Sequence, residues 1–232
     1  MIPPAALSLL LTRKGAILLD FDGPVCSIFA NYPAPAVADA LRDVLRTSGV
    51  NIAAPLLHEK DPLEVLKWSA TLGRPDVLTA VEITLRREEF IAAQSSTPTP
   101  YGREVILGAH EAGKPLAIVS NNSTEAITTY LQRQRLTCYN IPVVGRAFAQ
   151  PGLMKPSPYS VLLAAKSVTT DPANCVLIGD SLADIFSAQA AGVPAIAYAN
   201  RPEKAGKFTE AGADVVVTTM ADIASVLVEL RL

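Results

Sequence analysis

Cysteine, histidine and tryptophan are scarce in this chain: three, two and one among 232 residues. Cys26, Cys138 and Cys175 are odd in number and form no CxxC pair. They read as reduced thiols of a cytosolic protein, not as a disulfide framework. An excess of positive charge is missing too. The formal net charge is -2, without the basic field that nucleic-acid binding requires. The apolar stretch at the start, Ile2 to Leu11, is too short to span a membrane. Its basic residues, Arg13 and Lys14, follow it, whereas a secretory signal places positive charge first. The expectation is a cytoplasmic protein with no membrane partner, in which Ala5 to Leu11 is a short helical lead-in packed on the core.

What is present is apolar. Half of the residues are hydrophobic and 18% are charged, enough to bury a full core. The length fits one large domain or a domain plus an insertion. Short apolar runs recur between turn residues: Ala16–Leu19, Leu116–Val119, Val143–Val144, Cys175–Ile178, Pro194–Tyr198 and Asp214–Val217. They lack polar alternation and are flanked by helical patterns. Strands buried on both faces have this character, so the expected fold class is α/β, with a parallel sheet covered by helices on both sides.

The helices carry their own punctuation. Ser123 precedes Thr124–Arg135, and Ser157 with Pro158 reads as a cap and a first-turn proline. Tyr101–Ala112 runs into Gly113, and Ala183–Ala191 into Gly192. Ala221–Leu230 is the expected closing helix. One interval breaks the rhythm. About 100 residues separate Asp20 from Ser120, where a βαβ crossover needs only about 30. That stretch shows no convincing strand but three helical patterns, Pro35–Thr47, Pro62–Leu72 and Pro75–Ala92. A helical insertion is expected over residues 25–99, with Gln94–Pro100 as the return linker and residues 1–24 and 100–232 forming the core.

In an open parallel sheet, ligands bind outside the carboxyl ends of the strands. Those ends carry Asp20 and Asp22, Ser120 and Asn121, and Asp180 with Asp184; Lys155 lies in the loop "GLMKPSP" before a helix. Each alone has an ordinary reading as turn, helix cap or solvated lysine. Their joint arrival at one sheet edge is harder to ascribe to chance. Close carboxylates also repel unless something neutralises them.

"DFDGPV", "IVSNN", "LMKPSP" and "LIGDSLAD" resemble, in order, the four motifs of the haloacid dehalogenase superfamily, in its phosphatase branch with a helical cap (phosphoglycolate phosphatase or beta-phosphoglucomutase-like). The resemblance covers a whole Rossmann-like three-layer core and implies a magnesium-dependent phosphatase of a small phosphorylated metabolite. It makes Asp20 the nucleophile that becomes an aspartyl-phosphate, and Asp22 the general acid and base. Magnesium would be held by Asp20, the Asp22 carbonyl, Asp180 and Asp184. Ser120, Asn121 and Lys155 would bind phosphoryl oxygens. The oligomer expected is a monomer or homodimer.

Where the family usually has Thr or Val after DxDG, this chain has Pro24, which lacks an N–H and fixes its φ; cap opening is the property at stake. Arg74, in the turn "LGRPD", is the strongest anion-binding candidate of the insertion. His58 and Trp68 are weaker candidates, and Cys26 reads as a packing residue. A phosphoglucomutase-like transfer would use the same residues. A dehalogenase needs no metal and usually lacks the second aspartate, and a non-catalytic relative would be expected to have lost a motif residue.

Overall fold

The computed structural model describes residues 5–231; Ile2 to Pro4 of the apolar start lie outside them. The chain runs α1 (Ala5–Arg13), β1 (Ala16–Leu19), β2 (Cys26–Ser27), α2 (Ala34–Thr47), α3 (Pro62–Ala70), α4 (Pro75–Ser95), β3 (Thr97–Pro98), α5 (Gly102–Glu111), β4 (Leu116–Val119) and α6 (Thr124–Arg133). It continues through β5 (Val143–Val144), α7 (Tyr159–Ser167), β6 (Cys175–Gly179), α8 (Leu182–Ala191), β7 (Ala195–Tyr198), α9 (Pro202–Glu210), β8 (Val215–Val217) and α10 (Met220–Glu229).

Six strands form one sheet in the order β5-β4-β1-β6-β7-β8, all parallel. Alternate residues of the central strands feed two different cores. Ile17 and Leu19, Ile118, and Val176 and Ile178 pack with α1, α5, α6 and α10; Ala16, Leu18, Ala117, Leu177 and Cys175 pack with α7 and α8. Both faces are apolar because both are covered, which is why the strands show no polar alternation. The fold is the three-layer α/β arrangement expected. The lead-in helix is real: Leu7 and Leu11 of α1 are fully buried.

Sheet order places the site. β1 lies between β4 and β6, and the direction of winding reverses at β1 and β6. The carboxyl ends of three adjacent strands therefore deliver Asp20, Ser120 and Asp180 to one place.

The inserted helices α2, α3 and α4 make a third apolar cluster around Leu41, Leu66 and Val81, which Met154 from the loop ahead of α7 joins. Two details differ from expectation. The stretch read as free of strands contains a two-stranded antiparallel ribbon: Cys26 pairs with Pro98 and Ser27 with Thr97. Two-residue strands on a Ser/Thr/Pro-rich segment leave no periodicity to read. In addition α4 is not confined to the inserted cluster. Its second half sends Ala92 and Ala93 into the main core. The helix expected to begin at Pro158 behind a Ser157 cap starts one residue later, at Tyr159, with the Ser157 hydroxyl accepting from the Tyr159 N–H at 3.4 Å.

Candidate active site

The Asp20 N–H still belongs to the sheet, donating to the Ile178 carbonyl at 2.8 Å. Beyond it the chain turns at Gly23 with φ of +111°, a conformation that favours glycine. The Gly23 N–H closes the turn on the Cys26 carbonyl at 2.7 Å. Pro24 is buried, and its carbonyl packs so close to α5 that a Cβ on Gly102 would lie 2.5 Å from it. The departure from the family pattern thus sits in a close contact between the strand end and α5.

Lys155, 3% exposed, reaches between two acids. Its ammonium donates to Asp20 Oδ1 at 2.7 Å, Asp184 Oδ1 at 2.5 Å and the Val119 carbonyl at 3.2 Å. The other Asp184 oxygen accepts from the Ser181 N–H and hydroxyl, so the capping box of α8 orients it. Asp180 Oδ2 accepts from Asn200 at 2.8 Å and Lys204 at 2.7 Å. Asp22 stands apart, two residues beyond Asp20, its carboxylate held by the Ile28 N–H at 2.9 Å. Asn121 is tied to the Lys155 backbone twice, through Nδ2 to the carbonyl at 3.1 Å and through Oδ1 from the N–H at 2.8 Å. The Ser120 hydroxyl exchanges hydrogen bonds with the Asn122 N–H and side chain.

Charge follows from burial. Desolvation, with Asp184 beside it, pushes the Asp20 carboxyl well above the usual range against the pull of Lys155. Burial raises Asp22 to about 6, against the Ile28 hydrogen bond and with help from Asp180. Burial alone would lower the Lys155 ammonium, but Asp184 and Asp20 more than offset it and hold it above its ordinary value. Burial also pushes the Cys26 thiol up; this is a packed side chain and not a reactive one.

A cleft of about 820 Å³ opens over Asp20, Asp22, Ser120, Asn121, Lys155 and Asp180. Its far wall comes from Phe29, Pro35 and the segment Glu59 to Leu63, which runs into the first turn of α3. Arg74 is not among its lining residues; its guanidinium bonds Asp76 and the Ser48 carbonyl. The turn "LGRPD" that carries this anion-binding candidate lies at the opposite end of α3 from the cleft segment. Lys60 and Arg201 are the exposed cations at the cleft. Trp68 packs on the inserted cluster and His58 is exposed.

Asn200 and Lys204 escaped the sequence reading, although they follow the end of β7 at the same sheet edge; the strand-end rule points there too. Arg146, two residues past β5, escaped for the same reason.

Carboxylate oxygens of Asp20, Asp180 and Asp184 lie within 4.8 Å of one another. With no sulfur or imidazole among them they suit a hard divalent cation. Such a cation would also favour the ionised form of Asp20.

The sequence model described as "Hydrolase: haloacid dehalogenase-like hydrolase" matches residues 14–192. The chain belongs to the haloacid dehalogenase-like hydrolases. A phosphoglycolate phosphatase of Caulobacter vibrioides is 30% identical over 142 residues, 60% of this chain and 57% of that protein. A plasmid-borne phosphoglycolate phosphatase of Cupriavidus necator is 26% identical over 226 residues, 94% of each chain. A bifunctional riboflavin kinase/FMN phosphatase of Arabidopsis thaliana is 34% identical over 113 residues, and this chain spans only 28% of it. Among solved structures, a haloacid dehalogenase family hydrolase from Deinococcus radiodurans, with bound phosphate and sodium, superposes with a TM-score of 0.61 over 94% of this chain and 96% of that one, at 24% identity. This likeness carries the fold. Among the described residues no helix is long and apolar enough to cross a membrane.

Proposed function

We propose that this hydrolase removes the phosphoryl group from a small phosphomonoester through an aspartyl-phosphate on Asp20. The observation that carries the reading is the placement of Asp20: buried on the cleft floor, bonded to Lys155, with Asp22 held separately by the Ile28 N–H. One carboxylate faces a cation and can act as nucleophile. The other has a pKa near 6 and can exchange protons near neutrality. That the relatives named above are phosphatases supports the class of substrate.

In the first step an Asp20 oxygen attacks phosphorus, the ester P–O bond breaks, and the leaving oxygen takes the Asp22 proton. In the second, Asp22 takes a proton from water, whose oxygen attacks phosphorus; the acyl phosphate bond breaks, returning Asp20 and releasing inorganic phosphate. Lys155 and the Ser120 hydroxyl hold phosphoryl oxygens; the Ser120 proton turns from Asn122 Oδ1 to the ligand while the Asn122 N–H keeps its bond to the Ser120 oxygen. Magnesium, which Asp20, Asp180, Asp184 and the Asp22 carbonyl would hold, supplies positive charge against the anionic phosphoryl group. The inserted helices α2 to α4 act as a cap, with Glu59 to Leu63 and not Arg74 as the wall against which a substrate is chosen.

A panel of phosphorylated sugars, phosphorylated short organic acids and FMN, assayed for phosphate release with magnesium, tests the proposal. Hydrolysis of at least one small ester supports it. No release from any of them, nor from an aryl phosphate, overturns it.

A further inference from the structure

The most deeply buried charges outside the cleft form one cluster. Arg146, Glu82 and Glu89 have no exposed side-chain surface. Arg146 Nε donates to both Glu82 oxygens at 3.1 Å, Nη1 to Glu89 Oε1 at 2.7 Å, and Nη2 to Glu82 Oε1 at 3.0 Å and Glu89 Oε2 at 3.1 Å. Arg86 adds a second guanidinium to Glu82 at 2.8 Å. Both glutamates sit on α4, seven residues and about two turns apart, whereas Arg146 follows β5. Desolvating three charges is expensive, and an apolar contact between α4 and the core would hold the two together without it.

The cluster reaches further than packing requires. Arg146 Nη1 also donates to the Asn121 carbonyl at 2.7 Å, and the Arg146 N–H to the Asn122 carbonyl at 2.8 Å. Glu89 accepts from Asn122 Nδ2 at 3.3 Å and from the Ser123 N–H at 3.0 Å. Asn122 in turn donates its N–H to the Ser120 hydroxyl at 3.1 Å and accepts that hydroxyl's proton through Oδ1 at the same distance. The peptide between Asn121 and Asn122 is thus fixed at both ends, by Arg146 at its carbonyl and by Ser120 at its N–H. A Cβ on Gly145 would lie 2.6 Å from the Thr124 nitrogen, so the two loops meet without slack. Glu82 differs from Glu89 in one respect: it bonds the guanidiniums and none of residues 120–123.

We infer that Glu89 and Arg146 are positioning residues for the phosphoryl pocket: through Asn122 and the Asn121 carbonyl they set where the Ser120 hydroxyl stands, and so make phosphate affinity depend on the α4 helix. The inference rests on the proposed phosphatase reading of the cleft. Arginine is required because a lysine cannot supply five donors in a fixed fork to two carboxylates and a carbonyl.

The test compares E89Q, R146K and E82Q in the full chain with magnesium, by calorimetric binding of inorganic phosphate and by thermal unfolding. E89Q and E82Q each remove one charge of the buried cluster and R146K its fork of donors, so all three unfold at lower temperature. Phosphate binding weakens about ten- to hundred-fold in E89Q and R146K but stays within about twofold of the parent in E82Q. A cycle with N122A separates a relay from general loosening: if Glu89 acts through Asn122, the E89Q/N122A double variant binds phosphate no more weakly than N122A alone. Should E89Q or R146K fail to fold, E89D takes the place of E89Q in the binding measurement and in the cycle; N122A with E82Q is the control cycle, in which the effects should add. Equal phosphate affinity in E89Q and the parent, additive losses in the E89Q cycle, or non-additive ones in the E82Q cycle overturn the inference. A parent protein that neither binds phosphate nor hydrolyses any phosphomonoester refutes the phosphatase reading itself, and this inference falls with it. A parent that binds phosphate while E89Q binds equally well refutes only the positioning role.

Discussion

Gly23 and Asp180 pack so closely that a Cβ on the glycine would lie 2.3 Å from the Asp180 carboxyl carbon. The first acidic turn and the third strand end are therefore fitted to each other, and the fit needs a residue without a side chain. Gly23 also has φ of +111°, which L side chains rarely adopt. Gly23→Ala is expected to displace Asp180 and strain the turn, lowering stability by about 1–3 kcal/mol and raising the magnesium concentration needed for half-maximal turnover. Urea unfolding and a magnesium titration check both.

Asp20 and Asp22 carry different parts of the proposed reaction, and conservative variants separate them. Asp20→Asn removes the nucleophile, so no phosphoenzyme forms and no burst appears with any substrate. Asp22→Asn keeps the nucleophile but loses proton transfer, usually worth about 10²–10⁴-fold. A nitrophenolate leaves without a proton, so with a nitrophenyl phosphate this variant should show a burst and then a slow steady state. With an alkyl phosphate the burst should vanish. Rapid-quench measurement decides; a burst in Asp20→Asn would reverse the assignment.

Magnesium should stabilise as well as activate. The Asp20, Asp180 and Asp184 oxygens crowd within 4.8 Å, and a bound cation offsets their repulsion. At one hundred times its Kd a ligand adds about 2.7 kcal/mol, which in a protein of this size is a rise in Tm of several degrees. Differential scanning with magnesium and with chelator reads this directly. Chelator should also abolish aryl phosphate turnover, and full activity in chelator would favour a metal-free reaction.

Excision of residues 25–99 is expected to leave a core that does not fold cooperatively. The sequence suggests a detachable insertion, because every strand of the main sheet lies outside it. The structure shows what excision would remove: both carboxylates of Arg146, and the α4 surface that covers α6. Excision also takes Ala92 and Ala93 out of the main core and leaves the apolar face they cover open to water, a loss that is large beside the stability of a domain. Circular dichroism with a urea melt of the shortened chain gives the answer; a sharp transition would mean that the core stands alone.

How much of this could be read from sequence depended on whether a residue's setting was local. The six sheet strands were legible because each is an apolar run whose both faces are buried. Gly113 and Gly192 marked helix ends, and both adopt the left-handed conformation. Asp20, Ser120 and Asp180 were legible because strand ends collect at one edge, and Lys155, in the loop ahead of α7, through the motif "LMKPSP". The β2–β3 ribbon was not, since two residues per strand carry no period. Nor was the pairing of Arg146 with Glu82 and Glu89, which joins positions 57 and 64 residues apart; spacing along a chain says nothing about such meetings. Arg74 was misplaced because a basic turn looks the same from either end of a helix.

The central position of β1 has a consequence for synthesis. Its neighbours in the sheet, β4 and β6, begin only at Leu116 and Cys175. At about 5–20 residues per second, the strand waits on the order of 5–20 s for the first of them, after α1 has already been made. An apolar segment left open that long invites pairing with another chain. Asp20 and Asp22 stand directly behind it, and charges flanking an apolar strand are what discourages such pairing. The two acids that line the cleft are thus also the charges that flank the central apolar strand while it has no partner.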